Sequence, residues 1–88
     1  MVIRRILYEK GYQLDYIFLS QRLKKRTKKA IALFQQNPFY PSVRLHKLSG
    51  KLQGHWSISV TRQYRIIFRV LADGDVLFLS VGTHAIYE

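Results

Sequence analysis

The last third of the chain is written in period two, which commits it to paired strands. Trp56, Ile58 and Val60 alternate with Ser57, Ser59 and Thr61. Tyr64, Ile66, Phe68 and Val70 alternate with Arg65, Ile67 and Arg69, and Leu77, Leu79 and Val81 with Val76, Phe78 and Ser80. Between the second and third runs lies Ala72-Asp73-Gly74-Asp75, and Asp-Gly is the favoured centre of a two-residue type I′ turn. Pairing Ala72 with Asp75 predicts Val70 opposite Leu77, Phe68 opposite Leu79 and Ile66 opposite Val81, all on one apolar face. The same register puts Arg65 opposite Gly82 on the other face. His84 returns to that face two residues later, at a diagonal separation of about 7–8 Å. The first hairpin requires Thr61 opposite Arg65 with Arg62-Gln63-Tyr64 as its loop, because a two-residue loop would set Val60 and Arg65 on one face. Ser59, Thr61, Arg65 and His84 are therefore expected to form one polar patch, with a guanidinium and an imidazole near enough to share a phosphate.

Length and composition narrow the function classes. Residues 1–88 are expected to form a single domain, since 88 residues leave no room for a second core. The absence of cysteine excludes disulfides and thiolate chemistry. Arg4 and Arg5 follow Val2 and Ile3 directly, and no apolar run approaches the ~20 residues of a membrane span. The expectation is a soluble, cytoplasmic protein with no membrane partner. Fifteen Lys and Arg against five Asp and Glu give a net charge of +10. Such a bias favours polyanions: nucleic acid first, an acidic protein second, a membrane surface third.

The first half reads as a strand over residues 2–8, a segment 12–19 that suits a short helix by its Tyr12, Tyr16, Leu19 spacing although Tyr16-Ile17-Phe18-Leu19 also suits a strand, and a longer helix from about Gln21 to Gln36 N-capped by Ser20. Leu23, Thr27, Ala30, Ile31 and Phe34 follow the 3.6-residue period, and Asn37-Pro38 ends the helix. Residues 39–54 are an irregular connection with a possible short strand from Arg44 to Leu48. The fold class expected is α+β, in the order β-α-α-β-β-β, with an antiparallel sheet of about four strands backed by two helices.

Several motifs, taken in order, carry a family likeness. These are Leu45-His46-Lys47-Leu48-Ser49-Gly50, Gly54-His55-Trp56-Ser57-Ile58, Tyr64-Arg65-Ile66-Ile67-Phe68 and Val81-Gly82-Thr83-His84-Ala85-Ile86-Tyr87. Together they resemble the RelE/ParE toxin superfamily, closest to its YafQ-like and plasmid-stabilisation branch. The resemblance implies a RelE-like toxin of a type II toxin–antitoxin pair, acting as a ribosome-dependent mRNA endoribonuclease. It implies no metal or other cofactor: the 2′-hydroxyl attacks the adjacent phosphate, leaving a cyclic phosphate and a free 5′-hydroxyl. The implied partners are a cognate antitoxin and the ribosome with mRNA in its decoding site. His84 matches the family's catalytic histidine, Arg65 its phosphate-binding arginine, His46 a further active-site histidine of the YafQ-like branch, and Tyr87 a C-terminal aromatic that helps hold substrate. Ser59 and Gln63 stand where that branch carries a histidine and an acidic residue, and Ala85 and Glu88 also depart from it. The identity of the general base therefore stays open.

Residue chemistry gives the same candidates roles and alternatives. An imidazole at His84 has an ordinary pKa near 6.5, suited to a general acid; the alternative is an exposed tail histidine. Arg65 is placed to stabilise a pentacoordinate phosphorane. Arg69 shares its face and would bind RNA only. His46 is either the base on the 2′-hydroxyl or a loop histidine without a role, and His55 reads as structural. No histidine pair has a metal-ligand spacing, so zinc is rejected. Arg22, Lys24, Lys25, Arg26, Lys28 and Lys29 place six cations in eight residues. Like charges at i, i+4 repel, so an anion such as ribosomal RNA is expected to offset them. Lys47 and Lys51 would extend that track towards the active site. Two other readings stay open: a ParE-like poison of DNA gyrase without nuclease activity, and a non-catalytic basic RNA-binding module.

Overall fold

A computed structural model describes residues 1–83. Five strands form one sheet in the spatial order β1 (Arg5–Tyr8), β5 (Asp75–Gly82), β4 (Arg65–Val70), β3 (Trp56–Ser59), β2 (His46–Lys47). Two helices, α1 (Lys10–Ile17) and α2 (Gln21–Gln36), fill the connection between β1 and β2. The α+β class and the position of α2 expected from the sequence hold, while α1 begins two residues before the expected 12–19 and ends at Ile17. The sheet has five strands rather than about four, and it is mixed: β1 runs parallel to β5, while every other pair is antiparallel. Two helices between β1 and the hairpins carry the chain across the sheet, so β1 lands beside the last strand in the parallel sense.

Helix α2 starts where Ser20 accepts a hydrogen bond from the Leu23 amide at 3.2 Å. Its apolar stripe, Thr27, Ala30 and Phe34, is buried on the sheet. Thr27 is fully buried, and its hydroxyl donates to Leu23 O at 2.7 Å, so burial leaves no unmet proton. Phe34 packs its ring 5.1 Å from Phe68 and 6.1 Å from Phe78, centroid to centroid. With Ile58, Ile66, Val76 and Val81 these rings make the core.

Turn chemistry set the last hairpin correctly at its tip and at its far end, but not between them. Asp73 (φ 61°) and Gly74 (φ 84°) take the left-handed conformations of the expected turn, and Asp75 donates back to Ala72 O. Leu71, not Ala72, then pairs with Asp75. A compensating irregularity between Ile67 and Phe68 leaves Leu79 without a partner residue. Arg65 opposite Gly82 and Ile66 opposite Val81 survive as expected, whereas Phe68 faces Phe78 and Val70 faces Val76. Val76 and Phe78 are core residues in place of Leu77 and Leu79, and Val70 is exposed. Such an extra residue re-aims side chains without breaking the sheet.

The first hairpin is also corrected. Ser59, not Thr61, lies opposite Arg65, and Val60 and Thr61 both donate to Tyr64 O in a longer loop. The shift is two residues, so the faces are unchanged. Thr61 Oγ1 accepts from the amides of Gln63 (3.2 Å) and Tyr64 (3.0 Å), an interaction that tightens this loop.

Both ends of β5 are tied down. Beyond β1 its free edge is covered by α1: Asp15 Oδ2 accepts the Val81 amide at 3.1 Å, and the α-carbon of Gly11 sits so near Leu79 O that an added Cβ would lie at 3.2 Å. At the other end the Asp75 carboxylate receives Arg4 (3.0 Å) and Arg5 (2.8 Å), which flank the start of β1. The hydrogen bond from Arg5, the charges of Arg4 and Arg5, and a weaker hydrogen bond from Arg4 hold this carboxyl below its ordinary range, against a smaller opposing effect of burial.

A depressed carboxylate stabilises the fold above the unfolded-state pKa of about 3.9, and the contribution is lost as pH falls through the lower folded value. Asp75→Asn should therefore lower the urea midpoint at pH 7, with the gap to wild type closing on acidification below about pH 4. A gap that is constant with pH would refute the assignment.

Candidate functional site

The face of the sheet turned away from the helices is not simply solvated. Ser57 is fully buried, Ser59 9% exposed and Ile67 3% exposed, although alternation sets them opposite the core residues Ile58, Ile66 and Phe68. The segment Arg44–Leu52 folds beside this face and, with Ser57 and Arg65, encloses a cleft of about 660 Å³. Leu45, Leu48 and Leu52 form its apolar wall, and His46, Lys51, Arg44 and Arg65 supply its charge-bearing groups.

Strand pairing fixes how these groups stand. His46 lies opposite Ser57, which lies opposite Ile67. Arg65 is two residues along β4 from Ile67. Two strand spacings and two residues of rise put the His46 and Arg65 backbones about 12 Å apart, with Ser57 between them. Both long side chains can therefore reach one small anion above Ser57. Arg65 is half-buried; its Nη1 donates to Ser59 Oγ at 3.0 Å, and no carboxylate pairs with it among the described residues. Its charge is held in place by that hydrogen bond. The Ser57 hydroxyl is fully buried and has no hydrogen-bond partner, a state that normally costs about 1–3 kcal/mol and calls for an explanation.

The expected site residues divide as follows. Arg65, His46 and Lys51 line the sheet-face cleft. Ser59 touches Arg65 and lines a second cleft, of about 450 Å³, over the rim of the sheet. Thr61 lines that second cleft as well, not the patch around Arg65. Lys47 alternates to the other side of β2, where its ammonium sits 5.8 Å from the Trp56 ring centroid. Arg69 is exposed, four residues from Arg65 along β4 and about 13 Å away; it lines neither cleft. His84 and Tyr87 lie outside the described residues. His55 is structural in its contact: Nδ1 donates to Leu52 O at 3.2 Å.

The cation run on α2 is not one face. Arg26 and Lys29 line the rim cleft, Lys24 lies over the Tyr16 ring at 5.8 Å, and Arg22, Lys25 and Lys28 point outwards. Two site-lining residues escaped sequence reasoning. Ser57 was legible as a neighbour of Ser59 on the same alternating face, but its burial depends on the leucines of a loop with no period. Arg44 gave no signal: it adopts φ 50°, ψ 53°, a left-handed conformation that costs a residue with a Cβ about 1–2 kcal/mol. It turns the chain from the 3₁₀ turn Pro41–Val43 into β2, and it lines both clefts. Among the described residues no three His, Cys, Asp or Glu gather as metal ligands, and no helix is long and apolar enough to cross a membrane.

A sequence model of the ParE-like toxin domain matches residues 21–88. No curated protein matches the sequence significantly. Among solved structures, the YoeB/ParE toxin from Agrobacterium tumefaciens superposes with a TM-score of 0.78 at 21% identity, covering 92% of this chain and 99% of that one. YafQ from E. coli strain BL21(DE3) gives 0.77 at 23% identity, covering 96% and 97%. The E. coli DinJ–YafQ toxin–antitoxin complex gives 0.75 at 25% identity, covering 97% of each chain.

Two substitutions separate structure from site. Ser57→Ala removes a buried hydroxyl that has no partner among the described residues, so thermal stability should hold or rise. Arg44→Gly relieves the left-handed strain but adds unfolded-state entropy of about 0.5–1 kcal/mol, so the melting temperature should move by only a few degrees. Loss of folding in either variant would make these residues structural.

Proposed function

The chain belongs to the ParE-like toxin family, and from that premise we propose that it is a metal-independent endoribonuclease that cuts mRNA in the ribosome and is held inactive by a cognate antitoxin. The observation that carries this reading is the Arg65 guanidinium, without a carboxylate partner among the described residues and fixed by Ser59 at the mouth of a cleft that His46 also lines. A gyrase poison has no need of a preorganised cation beside imidazole in a cleft of nucleotide size. Structural neighbours include the YafQ complex with DinJ and the RelBE2 toxin–antitoxin complex from Mycobacterium tuberculosis, which supports a protein antitoxin as partner. A net charge of +10 favours an antitoxin whose contacting segment is acidic.

In this reaction the scissile phosphate sits at Arg65. A base, for which His46 is the described candidate, takes the proton of the 2′-hydroxyl as its oxygen attacks phosphorus. The bond to the 5′-oxygen breaks, and His84, carried over from the family motif, gives that oxygen a proton. Arg65 stabilises the charge that builds on the phosphorane, an effect worth several kcal/mol in a prearranged site. Arg22, Lys25 and Lys28, directed outwards on α2, and Lys51 bind the ribosomal and messenger backbones. Tyr87 stacks on a base, and Arg69 adds general affinity.

Arg65→Ala and His84→Ala should each relieve growth arrest on induction, with ribosome-dependent cleavage falling at least about 10²-fold, while folding is retained. Mapping of transcripts after brief induction should find cuts within codons. Full toxicity in both variants at equal expression, or a DNA-damage response without cut mRNA, would refute the nuclease.

A further inference from the structure

We propose that the rim cleft between α2, Arg44 and the β3–β4 loop is a second phosphate site, which takes a neighbouring backbone phosphate of the same RNA strand. The proposal rests on the reading that the scissile phosphate sits at Arg65. The cleft, of about 450 Å³, is lined by Arg26, Lys29, Arg44 and Arg62, and no carboxylate among the described residues lines it. Of its three hydroxyl residues, Ser42, Ser59 and Thr61, the last two have a proton to donate. Thr61 Oγ1 already accepts two amide protons, which uses both lone pairs and leaves only its own O–H. Ser59 Oγ accepts from Arg65, and its proton has no acceptor among the described residues. Four cations and two free O–H donors, with no acceptor charge, call for an anion rich in oxygen.

Continuity favours a nucleic-acid backbone over a peptide carboxylate. Ser59 is the wall between the clefts: it holds the Arg65 guanidinium on one side and lines the rim cleft on the other. Arg44 lines both and is held in a left-handed conformation there. A strand with one phosphate at Arg65 therefore meets a second prepared cationic site one side chain away, over the sheet rim. Strain kept at a residue common to both clefts fits a binding role better than a structural one.

The test is binding of a 2′-O-methyl hexaribonucleotide, which lacks the nucleophile and cannot be cut, to the full chain over a range of salt. Lys29→Gln and Arg62→Gln change exposed side chains. Each should weaken binding several-fold at low salt and lower the log–log salt slope by about 0.7, the value for one lost contact to single-stranded nucleic acid. Lys10→Gln, on exposed α1, should leave the slope unchanged. Equal slopes in wild type, Lys29→Gln and Arg62→Gln would overturn the proposal, as would no measurable binding by wild type. Loss of binding to a deca-glutamate peptide, with oligonucleotide binding intact, would overturn it in favour of an acidic protein partner. Failure of the nuclease reading is separable. If ribosomes yield no cut mRNA yet both variants lose slope, the second phosphate site stands alone; if Arg65→Gln abolishes cleavage while the slopes are equal, only the nuclease stands.

Discussion

The central strand β4 is buried on both faces at once, and the site depends on that. Ile66 and Phe68 are sealed into the core under α2, while Ile67, 3% exposed, is sealed on the reverse face. A strand gripped from both sides cannot slip by one residue without turning its whole pattern inside out. Arg65 begins this strand, so its position is set by the packing of the three residues that follow. Ser59 then fixes the guanidinium itself. The register irregularity between Ile67 and Phe68 falls inside this grip but on the turn side of Ile66, which leaves Arg65 opposite Gly82 as the unperturbed pairing would have it.

The same logic explains which parts of the fold could be read from sequence. Period and turn chemistry are local, so the strands, the Ser20 cap and the Asp73-Gly74 turn were legible. Parity was legible in the first hairpin, where a two-residue shift keeps the faces, and at Arg65, Ile66 and Val81; along the turn half of the last hairpin it was not, since Val76 and Phe78 take the core face expected for Leu77 and Leu79. What was not legible depended on distant contacts. The parallel pairing of β1 rests on Arg4 and Arg5 meeting Asp75, some seventy positions away in the chain. The burial of Ser57 rests on leucines in an aperiodic loop. The cation run on α2 looked like one surface because its residues are consecutive, although a helix distributes consecutive residues around its axis.

That distribution changes what the positive charge accomplishes. Lys24 gains a tyrosine face, Arg26 and Lys29 line an open cleft, and Arg22, Lys25 and Lys28 are directed away from both. Self-repulsion along the helix is therefore partly relieved inside the protein, by aromatic contact and by divergence. The remainder is concentrated where two clefts meet.

Charge is also sorted across the sheet. Of the five acidic residues, Glu9, Asp15, Asp73 and Asp75 belong to the side formed by β1, α1 and the start of β5. There Asp75 is consumed by two arginines and Asp15 by a backbone amide. The opposite side, built from β2, β3 and the first residues of β4, carries His46, Lys51, Arg44, Arg62 and Arg65 without a described carboxylate among them. Spending these acids on holding β1 and β5 together leaves the cleft side with a field that no carboxylate among the described residues neutralises. A folded chain can sustain that arrangement because its cations are spaced around two concave surfaces in contact with water, where the repulsion is screened. It also means that the same region attracts a polyanion before any specific contact forms, so that steering and binding act on one surface.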